Sequence, residues 1–124
     1  MQVVQTALIV RDYDEAIAFY VEILGMPLLE DTDLGNAKRW VRVGPGLLLA
    51  RAVTDEQRAR IGDQTGGRVF LFVHTDDFAR DHARLTARGV TFVSGPRDEP
   101  YGTVGVFLDL YGNKIDLIQP ASAS

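Results

Sequence analysis

Residues 12–25 read DYDEAIAFYVEILG and residues 76–89 read DDFARDHARLTARG. Each stretch opens on an aspartate able to cap a helix and closes on a glycine thirteen positions later, the residue suited to a left-handed helix stop. In the first, Glu15 stands at the capping-box position after Asp12, and Tyr13, Ile17, Tyr20 and Leu24 recur at helical spacing. In the second, Asp76 and Asp77 are the cap candidates, and Phe78 and Leu85 mark the apolar face. Strand-like runs surround both in the same order. They occupy residues 3–10, 28–30, 39–43 and 47–51 around the first helix, and 69–75, 90–93, 103–108 and 114–118 around the second. Gly44-Pro45-Gly46 and Tyr111-Gly112-Asn113 are the tight turns, with Asp109 supporting the latter. Polar residues 52–67, with one short helix near 55–60, form the connector.

The chain therefore reads as an internal duplication, two βαβββ modules at about 1–53 and 68–120 of a single domain spanning 1–124. Two curved sheets, each covered by one helix, gain by lying side by side and walling off a cavity. The expected fold is α+β, an open curved sheet or half-barrel.

The bulk numbers fit one globular domain. The 124 residues are 46% hydrophobic and 24% charged, and a chain of this length buries roughly two thirds of its unfolded surface. The net charge is -4, with eleven arginines and two lysines scattered among the acids, so no basic stripe for nucleic acid exists. The longest apolar run, residues 16–21, is far below the ~20 residues of a membrane span, and no export signal is read, so the expected location is the cytoplasm. The absence of cysteine removes disulfides, thiolate nucleophiles and cysteine zinc sites. The arginine-to-lysine ratio suggests a bacterial, GC-rich genome.

The stretch VRDYDEAIAFY at 10–20, Leu24-Gly25-Met26, and DLYGNKIDL at 109–117 resemble the vicinal-oxygen-chelate (VOC) superfamily of glyoxalases, bleomycin-resistance proteins, fosfomycin-resistance enzymes and extradiol dioxygenases. QTGG at 64–67 and PRDEPYGT at 96–103 look like a small glyoxalase-like bacterial subgroup. The resemblance covers essentially the whole chain. It implies the glyoxalase/bleomycin resistance/dihydroxybiphenyl dioxygenase fold, and homodimers are common in it. In its metal-dependent members a divalent ion is held by one side chain from each of the first, fourth, fifth and eighth strands. Those positions correspond here to Gln5, a residue among Leu47–Arg51 before the arginine, Phe70 and Asp116. Two of the four are carbon, too few donors for a cation, so no cofactor is expected. A divalent metal held by Gln5, Asp116 and His74 is the alternative. His74 shares the face of Phe70 and Phe72 but stands about 13 Å along the strand from the family position, at ~3.3 Å per residue.

Each candidate has a plain reading beside the functional one. Asp116 is either the solvent-facing residue of a half-buried strand or the acid of a lined cleft, which Ile118 on the same face favours. Gln5 is a ligand contact or an outward polar residue. Phe70 and Phe72 are core or an aromatic platform. Trp40 and Arg42 share a strand face, and an indole beside a guanidinium suits a planar anion; a snorkelling arginine at a strand edge is the other reading. His74 is a loop-bonded residue or, if a carboxylate orients it, a general base. His82 is read as solvated, Lys114 as a turn charge, and Arg97 and Tyr101 as lid residues in the loop before the seventh strand.

Two functions follow. The first is a metal-free binding protein holding a small aromatic or anionic molecule, with no nucleic-acid or membrane partner. The second is an enzyme, a glyoxalase-like lyase, isomerase or dioxygenase whose cation polarises vicinal oxygens.

Overall fold

The computed structural model describes residues 1–122, and the chain divides into two compact units, one from Met1 to Gln64 and the other beginning at Thr65. The fold is α+β, and each unit is a βαβββ module. The first contains β1 (Thr6–Val10), α1 (Tyr13–Ile17), β2 (Leu28–Gly35), β3 (Lys38–Val43), β4 (Leu47–Arg51) and the connector helix α2 (Asp55–Arg58). The second contains β5 (Val69–His74), α3 (Phe78–Ala87), β6 (Phe92–Glu99), β7 (Gly102–Leu108) and β8 (Lys114–Pro120). The sheets run β1-β4-β3-β2 and β5-β8-β7-β6; the first pair in each is parallel and the other pairs are antiparallel.

Both helices start and stop as their sequences dictate. The Asp12 side chain accepts the Glu15 backbone N–H at 2.9 Å, and the Asp77 side chain accepts that of Arg80 at 3.0 Å, each satisfying an orphan donor of a first turn. Asp76 pairs instead with the Arg80 guanidinium at 2.7 Å. Gly25 and Gly89 lie at φ of 84° and 86°, where any side chain would be strained. Between Ala18 and Ile23 the first helix widens into a π turn, with Leu24 N donating to the Phe19 carbonyl five residues back at 2.9 Å.

Strand alternation then divides each sheet into a helix-covered face and an open one. In the first unit Leu8, Val10, Val41, Val43 and Leu49 pack toward Ala16, Phe19 and Tyr20, all at most 6% exposed. Complete burial of each large side chain contributes about 1.5–3 kcal/mol. In the second unit Phe107, Ile115 and Leu117 are buried with Phe78 and Leu85. Gly105 is needed there, since a Cβ on it would stand 2.8 Å from the Phe78 ring. His82 is half-buried rather than solvated: its ring lies 5.7 Å from that of Phe78 and 4.3 Å from that of Phe92, extending the aromatic cluster.

β1 begins at Thr6 rather than residue 3 and β8 runs on to Pro120, but the largest departures from the sequence reading are in two other strands. β2 continues to Gly35 and β6 runs Phe92–Glu99, well past 28–30 and 90–93. Both are edge strands with mostly exposed residues, so no apolar alternation marks them. Pro96 is tolerated in β6 because an edge strand has an unpaired side, and the register shifts around it. Arg97 therefore sits in a strand, not a loop; Tyr101 lies in the turn between β6 and β7. The Asp109 carboxylate holds the β7–β8 turn, accepting the N–H groups of Tyr111 at 2.9 Å and Asn113 at 2.8 Å. The side-chain amide of Gln64 bonds the outer backbone of β1, accepting from Ile9 N and donating to the Ala7 carbonyl, each at 3.1 Å.

Candidate functional site

In the first unit the strand ends and one hairpin assemble a cleft. β1 and β4 run parallel and finish together at Val10 and Arg51, while β3 begins beside them at Lys38. The β2–β3 hairpin turns there through Asn36 and Ala37, both with positive φ. Together with Val53, just ahead of α2, and Gln57 within it, these elements enclose about 550 Å³. Ile9, Leu34, Trp40, Leu48, Ala50 and Val53 supply its apolar walls. Gln57 is fixed in place, its Oε1 accepting Val53 N at 2.8 Å.

Arg39, Lys38 and Arg51 bring the charge, and no acid lines the cleft. Arg39 is fully engaged. Its guanidinium grips Asp31 through two bonds of 3.0 and 2.7 Å, reaches Asp14 at 2.8 Å, and lies 5.2 Å from the centre of the Tyr13 ring. Hydrogen bonding to Arg39, helped by its charge, holds the Asp31 carboxyl below the usual range. Arg51 differs: half-buried on the cleft wall, its guanidinium has no hydrogen bond or ion pair among the described residues.

Trp40, one of the ligand-contact candidates from the sequence, lines this cleft. Arg42 is next on the same face of β3 and pairs with Glu30 of β2 at 3.1 Å. Gln5 is half-buried just ahead of β1.

The second unit gathers the remaining candidates on the open face of its sheet. Phe70 is half-buried, while Phe72 and His74 are exposed. Phe72 stands in register with Asp116, and His74 with Ile118. Across β8, Asp116 faces Val106 and Ile118 faces Val104; Arg97 of β6 pairs with Val104. Asp116 is 9% exposed, which rules out a solvent-facing residue, and its Oδ1 has no hydrogen-bond partner among the described residues. Burial raises its pKa, and the Arg97 charge only partly opposes this. Arg97 also holds Glu99 at 2.9 Å and interacts with the Tyr101 hydroxyl. No carboxylate hydrogen-bonds His74 among the described residues, so the orientation a general base requires is missing.

The family's metal positions do not fit a cation. Leu48 and Ala50 project from β4 on the face of Ala7 and Ile9, Phe70 offers carbon, and Asp116 is the sole carboxylate of the set. No group of three or more His, Cys, Asp or Glu suited to a metal exists among the described residues. Sequence reasoning missed Arg51, Lys38 and the hairpin. The Gly35-Asn36 pair was the available turn signal; nothing local foretold that Arg51 would lack a partner.

The model of the Glyoxalase/Bleomycin resistance protein/Dioxygenase superfamily matches residues 2–117. An uncharacterized protein of Shewanella frigidimarina is 54% identical, with 94% of this chain and 92% of that protein aligned. The crystal structure of UcmS2 aligns with a TM-score of 0.80 at 30% identity, covering 95% of this chain and 97% of that one. TnmS3, an antibiotic binding protein from Streptomyces sp. CB03234, aligns at 0.68 and 34% identity, covering 98% of each chain. No described helix is long and apolar enough to cross a membrane.

Proposed function

The chain belongs to the glyoxalase/bleomycin resistance protein/dioxygenase superfamily, and on that premise we propose that it is a cytoplasmic, homodimeric binding protein that takes up a small aromatic or anionic organic molecule without a metal. The observation that carries this reading is the cleft of about 550 Å³ in the first unit, with apolar walls and Trp40 among them. That volume lies within the ~300–1,000 Å³ of small-molecule pockets, whose few polar groups fix orientation. The antibiotic-binding relative adds support. Aromatic antibiotics and aromatic acids are the compounds to try first.

The chain has a single tryptophan, and it stands in the cleft. Titrating such compounds while following Trp40 emission, with a parallel melting scan, tests the reading directly. A ligand should change the emission saturably and raise Tm, since binding to the native state stabilises it. A panel that moves neither would sink it. Light scattering of the purified chain checks the dimer.

One observation favours a second reading. The resemblance puts Asp116 at the family's last metal carboxylate, and its buried Oδ1 has no hydrogen-bond partner among the described residues. Elemental analysis of protein purified without chelator decides: stoichiometric metal, released by chelator with a fall in Tm, replaces the binding-protein reading with a metal enzyme.

A further inference from the structure

We propose that the ligand of the first unit's cleft is an amphipathic anion: a flat aromatic body lying against Trp40, with a carboxylate, sulfonate or phosphate held by Arg51 and Lys38. This rests on the cleft being the binding site, and it specifies which class of molecule enters.

Charge is the first ground. The protein carries 17 acidic against 13 basic residues, yet the cleft is lined by Lys38, Arg39 and Arg51 and by no acid. With Arg39 offset by Asp14 and Asp31, Lys38 and Arg51 remain as uncompensated positive charges in a lining with low-dielectric walls, where an anion is favoured. The state of each cation is the second. Arg39 is saturated by Asp14 and Asp31 and holds the hairpin to α1. Arg51 is half-buried with no partner for its guanidinium, and Lys38, exposed at the start of β3, likewise has no ion pair among the described residues. A guanidinium drawn partly out of water without a counter-charge costs free energy, which an incoming anion restores through charge-assisted, often bidentate, hydrogen bonds. Geometry is the third. Arg51 closes the end of β4 on the side of Leu49, and there it lines the same cleft as Ile9, Trp40 and Ala50, so the strand end brings a charge to the edge of the apolar wall. A purely apolar ligand would leave Arg51 unpaired, and a small inorganic anion would leave the walls uncovered.

Two dyes with one body separate the charge from the cleft. 8-Anilinonaphthalene-1-sulfonate and N-phenyl-1-naphthylamine share an anilinonaphthalene frame, and only the first is charged. Titrated by their own fluorescence, the sulfonate should bind about tenfold tighter or more, and lose that advantage as salt is raised. Arg51→Gln should bring the sulfonate down to the level of the neutral dye and leave the neutral dye unchanged; Lys38→Gln should weaken the sulfonate by a smaller factor. Circular dichroism confirms that both variants fold. Equal binding of the two dyes to wild type, or sulfonate binding unmoved by Arg51→Gln, overturns the anion. If Trp40→Ala then still removes both dyes, the cleft survives as a site for neutral aromatics. If neither dye binds, or Trp40→Ala changes neither, the cleft itself is the wrong place and both proposals fall.

Discussion

In the first unit β1, β3 and β4 turn Leu8, Val41 and Leu49 toward a helix capped by Asp12; in the second, β7 and β8 turn Phe107 and Ile115 toward a helix capped by Asp77. The helix-covered sides are built alike, in strand order, capping and glycine stop. The open sides are not. One bears Lys38 on the face of Trp40, at a cleft that no acid lines; the other buries a lone carboxylate beside an exposed phenylalanine. Packing thus restrains one face of a duplicated module while the other is free to acquire chemistry of either sign.

Core truncation is the strongest way to break this comparison. Tyr20→Ala and Phe107→Ala, each removing a side chain at most 1% exposed, should cost about 3–5 kcal/mol in denaturant melts. A much smaller loss in one would mean that the two cores are not equivalent.

Asp116 sharpens the contrast between the open faces. Because burial raises its pKa above 3.8, the native state keeps this proton where the unfolded chain has released it. Its contribution to stability is present below the unfolded value and is lost as pH rises through the raised native one. Asp116→Asn does not titrate, so its stability should gain on wild type as pH rises from below the ordinary aspartate range toward neutrality. Parallel pH curves would show that the carboxylate is not desolvated.

The glycine stops test the covered faces again. Gly25→Ala and Gly89→Ala should each cost about 1–2 kcal/mol, since both force alanine into the left-handed region. The smallest effect belongs to the caps: Asp12→Ala and Asp77→Ala should each lose about 1 kcal/mol, read as a drop in Tm. Unequal losses within either pair would locate where the duplicated design has diverged.

What was legible in the sequence follows the same division. Asp12 with Gly25, and Asp77 with Gly89, act through neighbours a few residues away, so spacing alone exposes the helices and the repeat. β2 and β6 escaped because exposed edge strands carry little apolar alternation. Asp116 could be singled out as an acid among aliphatics, but its burial depends on neighbours from β5, β6 and β7. The cleft was further out of reach, since Ile9, Leu34, Trp40, Arg51 and Gln57 meet only after the strands have paired.

The amide of Gln64 offers donor and acceptor to β1 at the spacing a parallel neighbour would use. It imitates one residue of an absent fifth strand. A polypeptide arriving at that margin finds the Ile9 N–H and the Ala7 carbonyl already occupied, so pairing there must first displace a side chain that belongs to no strand.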